Sequence, residues 1–387
     1  MGIGPSLVTI RAGHAFDITG KAAPTMRNLL ELSDIAGFVA SLPGEDLGPL
    51  AAFAAASVEP AEETTRLLAP CDLQAIKACG VTFARSMAER VIEERAAGNP
   101  ALAAEIRARV AGVIGDSLRD LVPGSAKAAE VKALLQAEGL WSQYLEVGIG
   151  PDAEVFTKAQ PMAAVGYGAS VGLHPISKWN NPEPEVVLVV NSKGQIVGAT
   201  LGNDVNLRDV EGRSALLLGK AKDNNAAASI GPFIRLFDAD FTLDTVRGLE
   251  LSLTVTGEDG FVLQGASSMH QISRGPADLV ARTWGQHHQY PDGFLHYYGT
   301  MFSPVQDRDG PGQGFTHHLG DVVTISAPEP GALTNTVRPA TDAPEWQFGT
   351  GALMRNLAAH GLLQDHRIGC GNVTCAPHPI YRAGRAG

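Results

Sequence analysis

Apolar positions along the first 150 residues recur at helical spacing. Phe83, Met87 and Val91 repeat every four residues within Asp72 to Ala97, which predicts an amphipathic helix ending near Gly98. Asn99-Pro100 opens a second stretch whose apolar stripe is Leu102, Ile106, Val110 and Ile114. A third begins at Ser125, turns Val131 and Leu135 inward and stops at Gly139. All three stripes have the spacing of ordinary core packing. Beyond residue 150 the pattern changes to short apolar runs between turn residues: Val186 to Val190, Ile196 to Leu201, Leu249 to Thr256 and Gly320 to Ser326. These predict strands. Helical interruptions at Ser214 to Lys222 and Pro276 to Trp284 make the region α+β. Two domains are expected, a helix-rich one over 1–150 and a strand-rich one over 151–387. Residues 303–316 read as a long loop, a length that often carries function.

One stretch has chemistry written into its alternation. In Asn181 to Asp204 two apolar runs flank the turn tetrad Asn191-Ser192-Lys193-Gly194, which predicts an antiparallel hairpin. Glu183 and Glu185 share one face, because side chains alternate along a strand. If the turn centres on Lys193-Gly194, paired residue numbers sum to 387 and Glu183 faces Asp204. Opposed residues have β-carbons about 5 Å apart. Three carboxylates would then converge with nothing nearby in sequence to neutralise them, and a divalent cation would do so. A one-residue slip of the turn would send Asp204 to the other face.

Composition narrows the partner. With 44% hydrophobic and 18% charged residues the chain reads as a soluble globular protein. A net charge of −11 argues against nucleic acid and anionic membrane and leaves a small molecule as the expected partner. No apolar run reaches the roughly 18 residues of a membrane span. Cys71, Cys79, Cys370 and Cys375 lack zinc-site spacing and are expected as reduced thiols, which suggests a cytoplasmic protein. Met1-Gly2 through Ser6 fits a myristoylation pattern but has no polybasic neighbour, and Asn372-Val373-Thr374 is a glycosylation acceptor without meaning in the cytosol; both are read as chance. Gly166 to Gly172, GYGASVG, lacks the strand-before and helix-after context of a dinucleotide site; Ser170 and nearby amides could instead hold a substrate carboxylate or hydroxyl. His287-His288 and His317-His318 lack metal-ligand spacing and are expected as surface or loop residues.

The order PEPEVVLVV, GATLGNDVNLRD, LLLGKAKD and IGPF resembles the core of the fumarylacetoacetate hydrolase family, and HHLGDVVTISAPEPGALTN resembles that family's closing strand and loop. The likeness covers residues 155–335, and the helical first 150 lie outside it. It implies a mixed β-roll or barrel-like catalytic domain preceded by the smaller helix-rich one, and assembly as a homodimer or larger homo-oligomer. It also implies Mg²⁺, with Mn²⁺ as the alternative, held by Glu183, Glu185 and Asp204, the three residues reached by register. Lys220 matches the family's active-site lysine, with Lys222 as the alternative if the alignment slips by two. Arg208 and Asp209 match its Arg-Asp pair, and Lys158 its Lys-Pro segment. Glu211 stands where related hydrolases carry glutamine, either as an acid or base near the metal or as a loop glutamate facing water. Ala327 replaces a substrate-touching threonine, leaving Ser326 as the nearby hydroxyl.

The reaction expected follows from a departure. Family members that cleave carbon–carbon bonds carry a His-x-x-Glu pair upstream of the Lys-Pro stretch, where this chain reads EVGIGPDAEVFTK, with no histidine. A related branch removes water from 2-keto-3-deoxy sugar acids. The resemblance therefore implies a metal-dependent dehydratase of a 2-keto-3-deoxy pentonate, first of all 2-keto-3-deoxy-D-xylonate, giving 2,5-dioxopentanoate in pentose catabolism. Chelation of the 2-keto acid acidifies C3, with Lys220 and Glu211 as the proton movers and Lys158, Ser170, Arg208 and Ser326 as substrate contacts. The alternatives are an acylpyruvate or fumarylacetoacetate-type hydrolase using His174 or the 287–318 region, and a non-catalytic small-molecule binder.

Overall fold

A computed structural model describes residues 4–58, 64–80, 82–96, 121–137 and 141–363, with residues 99, 102, 105, 106 and 139 besides. Met1-Gly2, Val110, Ile114, Cys370, the Asn372 acceptor and Cys375 lie outside the described residues. Fourteen strands are found among them. In chain order these are β1 (Val8–Arg11), β2 (His14–Asp17), β3 (Glu45–Pro49), β4 (Ala75–Cys79), β5 (Val155–Ala159), β6 (Ser170–Leu173) and β7 (Pro184–Val190), then β8 (Ile196–Asp204), β9 (Ala228–Leu236), β10 (Glu250–Thr256), β11 (Val262–Ser268), β12 (Phe294–Tyr297), β13 (Val322–Ala327) and β14 (Gly331–Pro339). They form a three-stranded sheet β1-β2-β3, a six-stranded sheet β5-β4-β12-β7-β8-β9 and a five-stranded sheet β11-β10-β13-β14-β6.

The first 150 residues thus contain strands that helical periodicity does not signal. The helix expected from Asp72 begins only at Ala84 and runs to Ala96, with Phe83, Met87 and Val91 buried as the spacing requires. What precedes it is β4, where Ile76 and Ala78 point into one apolar cluster and Cys79 into another, a period of two that the four-residue rule overrode. Because β4 lies between β5 and β12, a segment from before residue 150 is built into the large sheet. The helix Ala126–Ala137 matches the third stripe, with Leu135 buried, Ser125 Oγ accepting from the Ala128 amide, and Gly139 beyond its end at φ +66°.

The six- and five-stranded sheets enclose the main core. Val186, Leu188 and Val190 of β7 pack with Leu251, Leu253 and Val255 of β10 and with Val323 and Ile325 of β13. The opposite face of β7, Val187 and Val189, packs with Ile76, Leu295 and Tyr297. Every residue of β7 is buried, which is why its sequence reads as a continuous apolar run. Helices Arg208–Glu211 and Leu218–Lys222 connect β8 to β9 and pack on each other, and Leu218–Lys222 lies against β5. No helix among the described residues is long and apolar enough to cross a membrane.

Candidate metal centre

The hairpin register delivers the acidic cluster. Pro184 pairs with Asn203 and Glu185 with Gly202, and the Asp204 amide donates to the Glu183 carbonyl at 3.1 Å, so Glu183 and Asp204 are opposed as the sum of 387 requires. The route to that register differs from a turn centred on Lys193-Gly194. The Asn191 amide bonds the Gln195 carbonyl and Val190 pairs with Ile196, which centres the turn on Lys193 and gives a sum of 386. A bulge between Val189 and Val190, with Val197 as the extra residue opposite, adds the missing one.

Ligand oxygens of Glu183, Glu185 and Asp204 lie within 4.8 Å of one another, and each residue is 1% exposed. Nothing nearby in sequence neutralises them, but two lysines from more distant parts of the chain do so in part. Lys222 Nζ donates to Glu183 Oε2 at 2.5 Å and to Asp204 Oδ2 at 3.2 Å. Lys158 Nζ lies 2.8 Å from Asp204 Oδ1 as an ion pair outside hydrogen-bond alignment, and it donates to the carbonyls of Val205 and Lys222. Glu185 is the least compensated. Its Oε2 accepts from the Gly299 amide at 2.7 Å, while Oε1 is buried without a hydrogen-bond partner. Burial, then the carboxylates of Asp204 and Glu183, push its pKa well above the usual range. Burial pulls the Lys158 pKa down, with Asp204 opposing.

The cluster opens onto a cavity of about 10 Å³, lined by Cys79, Gly80, Glu154, Phe156, Glu183, Asp204, Glu211, Lys222 and Thr300. That is room for about one water-sized particle. Glu211 thus reaches the site from the helix Arg208–Glu211. Lys220 does not line it; its Nζ lies 2.9 Å from His174 Nε2 at the surface, and Lys222, two residues on, takes the inward position. Arg208 is buried behind the cluster, donating to Asn181 Oδ1 at 2.7 Å and the Pro304 carbonyl at 3.0 Å, and stacks over Trp179. Asp209 accepts from Ser177 Oγ and the Lys178 amide. Ser170 pairs opposite Thr336 and Ser326 opposite Ser252 and Ala332, both in the five-stranded sheet and neither lining the cavity. Of the histidines, His317 is buried against Asp321, whereas His174, His287, His288 and His318 are partly or well exposed.

Sequence reasoning missed Glu154, Phe156, Cys79, Gly80 and Thr300. Glu154 and Phe156 carry a signal, since with Lys158 they stand at i, i+2 and i+4 and share one face of the β5 strand and its approach. Its carboxylate lies over Gly80, where a β-carbon would come within 1.8 Å of Glu154 Oε2. Cys79, at the cavity wall, has its Sγ 3.2 Å from His296 Nε2, and burial raises its thiol pKa well above the usual value.

Residues 146–338 match the family model described as fumarylacetoacetate (FAA) hydrolase, C-terminal. Among curated proteins, a probable 2-keto-3-deoxyxylonate dehydratase of Haloferax volcanii is 31% identical over 194 residues, 50% of this chain and 63% of the relative. A 2-dehydro-3-deoxy-D-arabinonate dehydratase of Saccharolobus solfataricus is 28% identical over 155 residues, 40% of this chain and 51% of the relative. The matches therefore span about half to two thirds of those relatives' lengths. Among solved structures, 2-keto-3-deoxy-D-arabinonate dehydratase complexed with magnesium and 2,5-dioxopentanoate superposes with a TM-score of 0.58 at 18% identity, over 86% of this chain and 94% of that one. At that identity the likeness speaks for a common fold.

Proposed function

Because residues 146–338 form a domain of the fumarylacetoacetate hydrolase family, we propose that this chain is a divalent-metal-dependent dehydratase of a 2-keto-3-deoxy pentonate, first of all 2-keto-3-deoxy-D-xylonate, yielding 2,5-dioxopentanoate. The observation that carries the proposal is the buried Glu183-Glu185-Asp204 cluster with Glu185 Oε1 unpartnered at its centre. An orphaned buried carboxylate oxygen is costly, and oxygen-only donors suit a hard cation such as Mg²⁺ or Mn²⁺. Two relatives are named as dehydratases of such acids, and a structural neighbour holds magnesium with the product.

A cation held by these three residues would polarise a 2-keto group and make the adjacent C3 hydrogens acidic. The rest falls to the chain's own side chains. Lys222, an ammonium donating to two carboxylates, is the proton donor to a departing C4 hydroxyl. We assign removal of the C3 proton to Glu154, which enters the cavity from the edge of a rigid sheet, and give Glu211 the later proton transfers that turn the unsaturated alcohol into an aldehyde. Lys158 keeps Asp204 and the backbone of Lys222 in place from behind. The assembly is taken as a homo-oligomer in the cytoplasm, which sedimentation and fractionation test.

The hydrolase alternative draws less support, because the titratable groups lining the cavity beside the triad are Cys79, Glu154, Glu211 and Lys222, with no histidine, while His174 pairs with Lys220 at the surface. The deciding experiment incubates the protein with 2-keto-3-deoxy-D-xylonate or an acylpyruvate, with Mg²⁺ or EDTA, and identifies products by mass. Loss of 18 mass units from the keto-deoxy acid, abolished by EDTA, is expected. Cleavage of the acylpyruvate with the keto-deoxy acid intact would refute the proposal.

A further inference from the structure

Arg274 is a buried cation satisfied largely by backbone. Its side chain is 2% exposed, and Nη2 donates to the carbonyls of Gly150 at 2.5 Å and of Val147 and Asp152 at 3.2 Å, with Nε also directed to Val147. Its nearest carboxylate, Asp278, is 3.6 Å from Nη1 and itself 42% exposed. Burying a guanidinium costs several kcal/mol, so a cation spent on three main-chain oxygens fixes something that main chain alone does not. The Val147 carbonyl belongs to the last turn of the helix Gln143–Ile149, and those of Gly150 and Asp152 to the bend that leaves it and delivers Glu154 two residues after Asp152.

The other end of the clamp is tied to the same site. The Ser273 amide and hydroxyl both donate to the Thr82 carbonyl, at 2.7 and 2.8 Å, and Thr82 Oγ1 donates to the carbonyl of Tyr298. Beyond Tyr298, the Gly299 amide holds Glu185 and Thr300 lines the cavity. The Gly80 amide in turn binds the Glu154 carbonyl at 3.2 Å. Gly80, Thr82 and residues 147–154, 273–274 and 298–300 are therefore linked by hydrogen bonds along one wall of the cavity.

We propose that Arg274 is a positioning residue for the dehydration: by gathering the 147–152 carbonyls it sets the place of the Glu154 carboxylate without touching substrate or metal. The inference rests on the assignment of Glu154 made above. Nη2 reaches all three carbonyls while Nε adds a second contact to Val147 and Nη1 faces Asp278, a set that the single nitrogen of a lysine does not reproduce in full.

The test compares wild type, Arg274→Lys and Arg274→Ala in three measurements. Mg²⁺ titration of the apoprotein is expected to give unchanged affinity, since the triad is intact. Amide exchange at 148–154 is expected to accelerate at least about tenfold while the β7–β8 hairpin stays protected. In turnover, kcat falls by about tenfold to a hundredfold with KM little changed, and methylguanidinium partly restores Arg274→Ala. Unchanged exchange at 148–154 overturns the proposal, and so does a kcat loss that tracks lost Mg²⁺ affinity and general loss of protection, the mark of a merely structural residue. If the wild-type chain does not dehydrate the acid, the functional reading fails, while the exchange data still decide the clamp.

Discussion

Replacing Lys222 by methionine removes the ammonium that bridges Glu183 and Asp204 while keeping a side chain of similar length. Both oxygens it serves are buried, and Lys158 remains on Asp204 alone. Removing one partner of a buried pair costs about 3–5 kcal/mol, chiefly because the other charge is stranded. For 387 residues the unfolding entropy is about 0.8 kcal/mol/K, from roughly 2.1 cal/mol/K per residue, so the apoprotein should melt about 4–6 °C lower. A divalent cation replaces the lost positive charge, so Mg²⁺ should raise the melting temperature of Lys222→Met more than that of wild type. Lys220→Met is the control: its amine pairs with His174 at the surface, and the effect should stay within about 0.5 kcal/mol. The assay is calorimetry of EDTA-treated and Mg²⁺-loaded proteins, with turnover alongside. A Lys222→Met apoprotein as stable as wild type, or a Lys220→Met protein that loses the larger share of activity, would refute the reasoning.

Glu185→Gln removes a carboxyl that burial and two neighbouring carboxylates disfavour as an anion, so the apoprotein should be no less stable while Mg²⁺ affinity measured by titration calorimetry falls at least about tenfold. Glu154→Gln is expected to bind Mg²⁺ normally and lose about a hundredfold or more in kcat, read from product formation. His296, buried with Nδ1 unpartnered and Nε2 between Cys79 and Thr283, has its pKa pushed down to about 3 by burial and, less, by Lys77. The unfolded chain then binds a proton that the folded one does not between about pH 6.5 and 3, so this group destabilises the fold progressively as pH falls through that window, by up to about 1.4 kcal/mol per unit. Stabilities of wild type and His296→Phe from denaturant titrations should diverge with pH there and run parallel above pH 7; parallel dependence throughout would show that the folded ring takes up its proton as readily as the unfolded one and refute the depressed pKa.

What was legible in the sequence, and what was not, follows the distance over which each feature is encoded. Strand alternation and a short turn are local, so Glu183, Glu185 and Asp204 could be brought together on paper. Even there the agreement has two parts that offset: a turn centred on Lys193 instead of between Lys193 and Gly194, which lowers the pair sum by one, and a bulge at Val197 that restores it. No propensity announces that bulge; what selects it is the burial of both faces of β7, which a one-residue slip would exchange. The choice between Lys220 and Lys222 was local too. Successive helical residues turn by about 100°, so two residues apart means nearly opposite faces, and the buried neighbour Ala221 does not by itself say which lysine joins it. Only the position of the helix Leu218–Lys222 against β5 decides. Cys79, Gly80 and Thr300 needed more than local pattern, because they meet the triad through the parallel pairing of β4 with β12, strands from distant parts of the chain joined without a turn to betray them. The same pairing explains why the region before residue 150 misled a helical reading: β4 is short, half of it alternates, and its reason for being a strand lies in Phe294 to Tyr297. The acidic pocket is thus a local device whose opposite wall, with Gly80, Glu154 and Thr300, is assembled from long-range contacts, and that division predicts where changes act. Substitutions in the hairpin should act first on the cation, and substitutions among Gly80, Thr82 and residues 147–154 and 273–274 first on proton transfer.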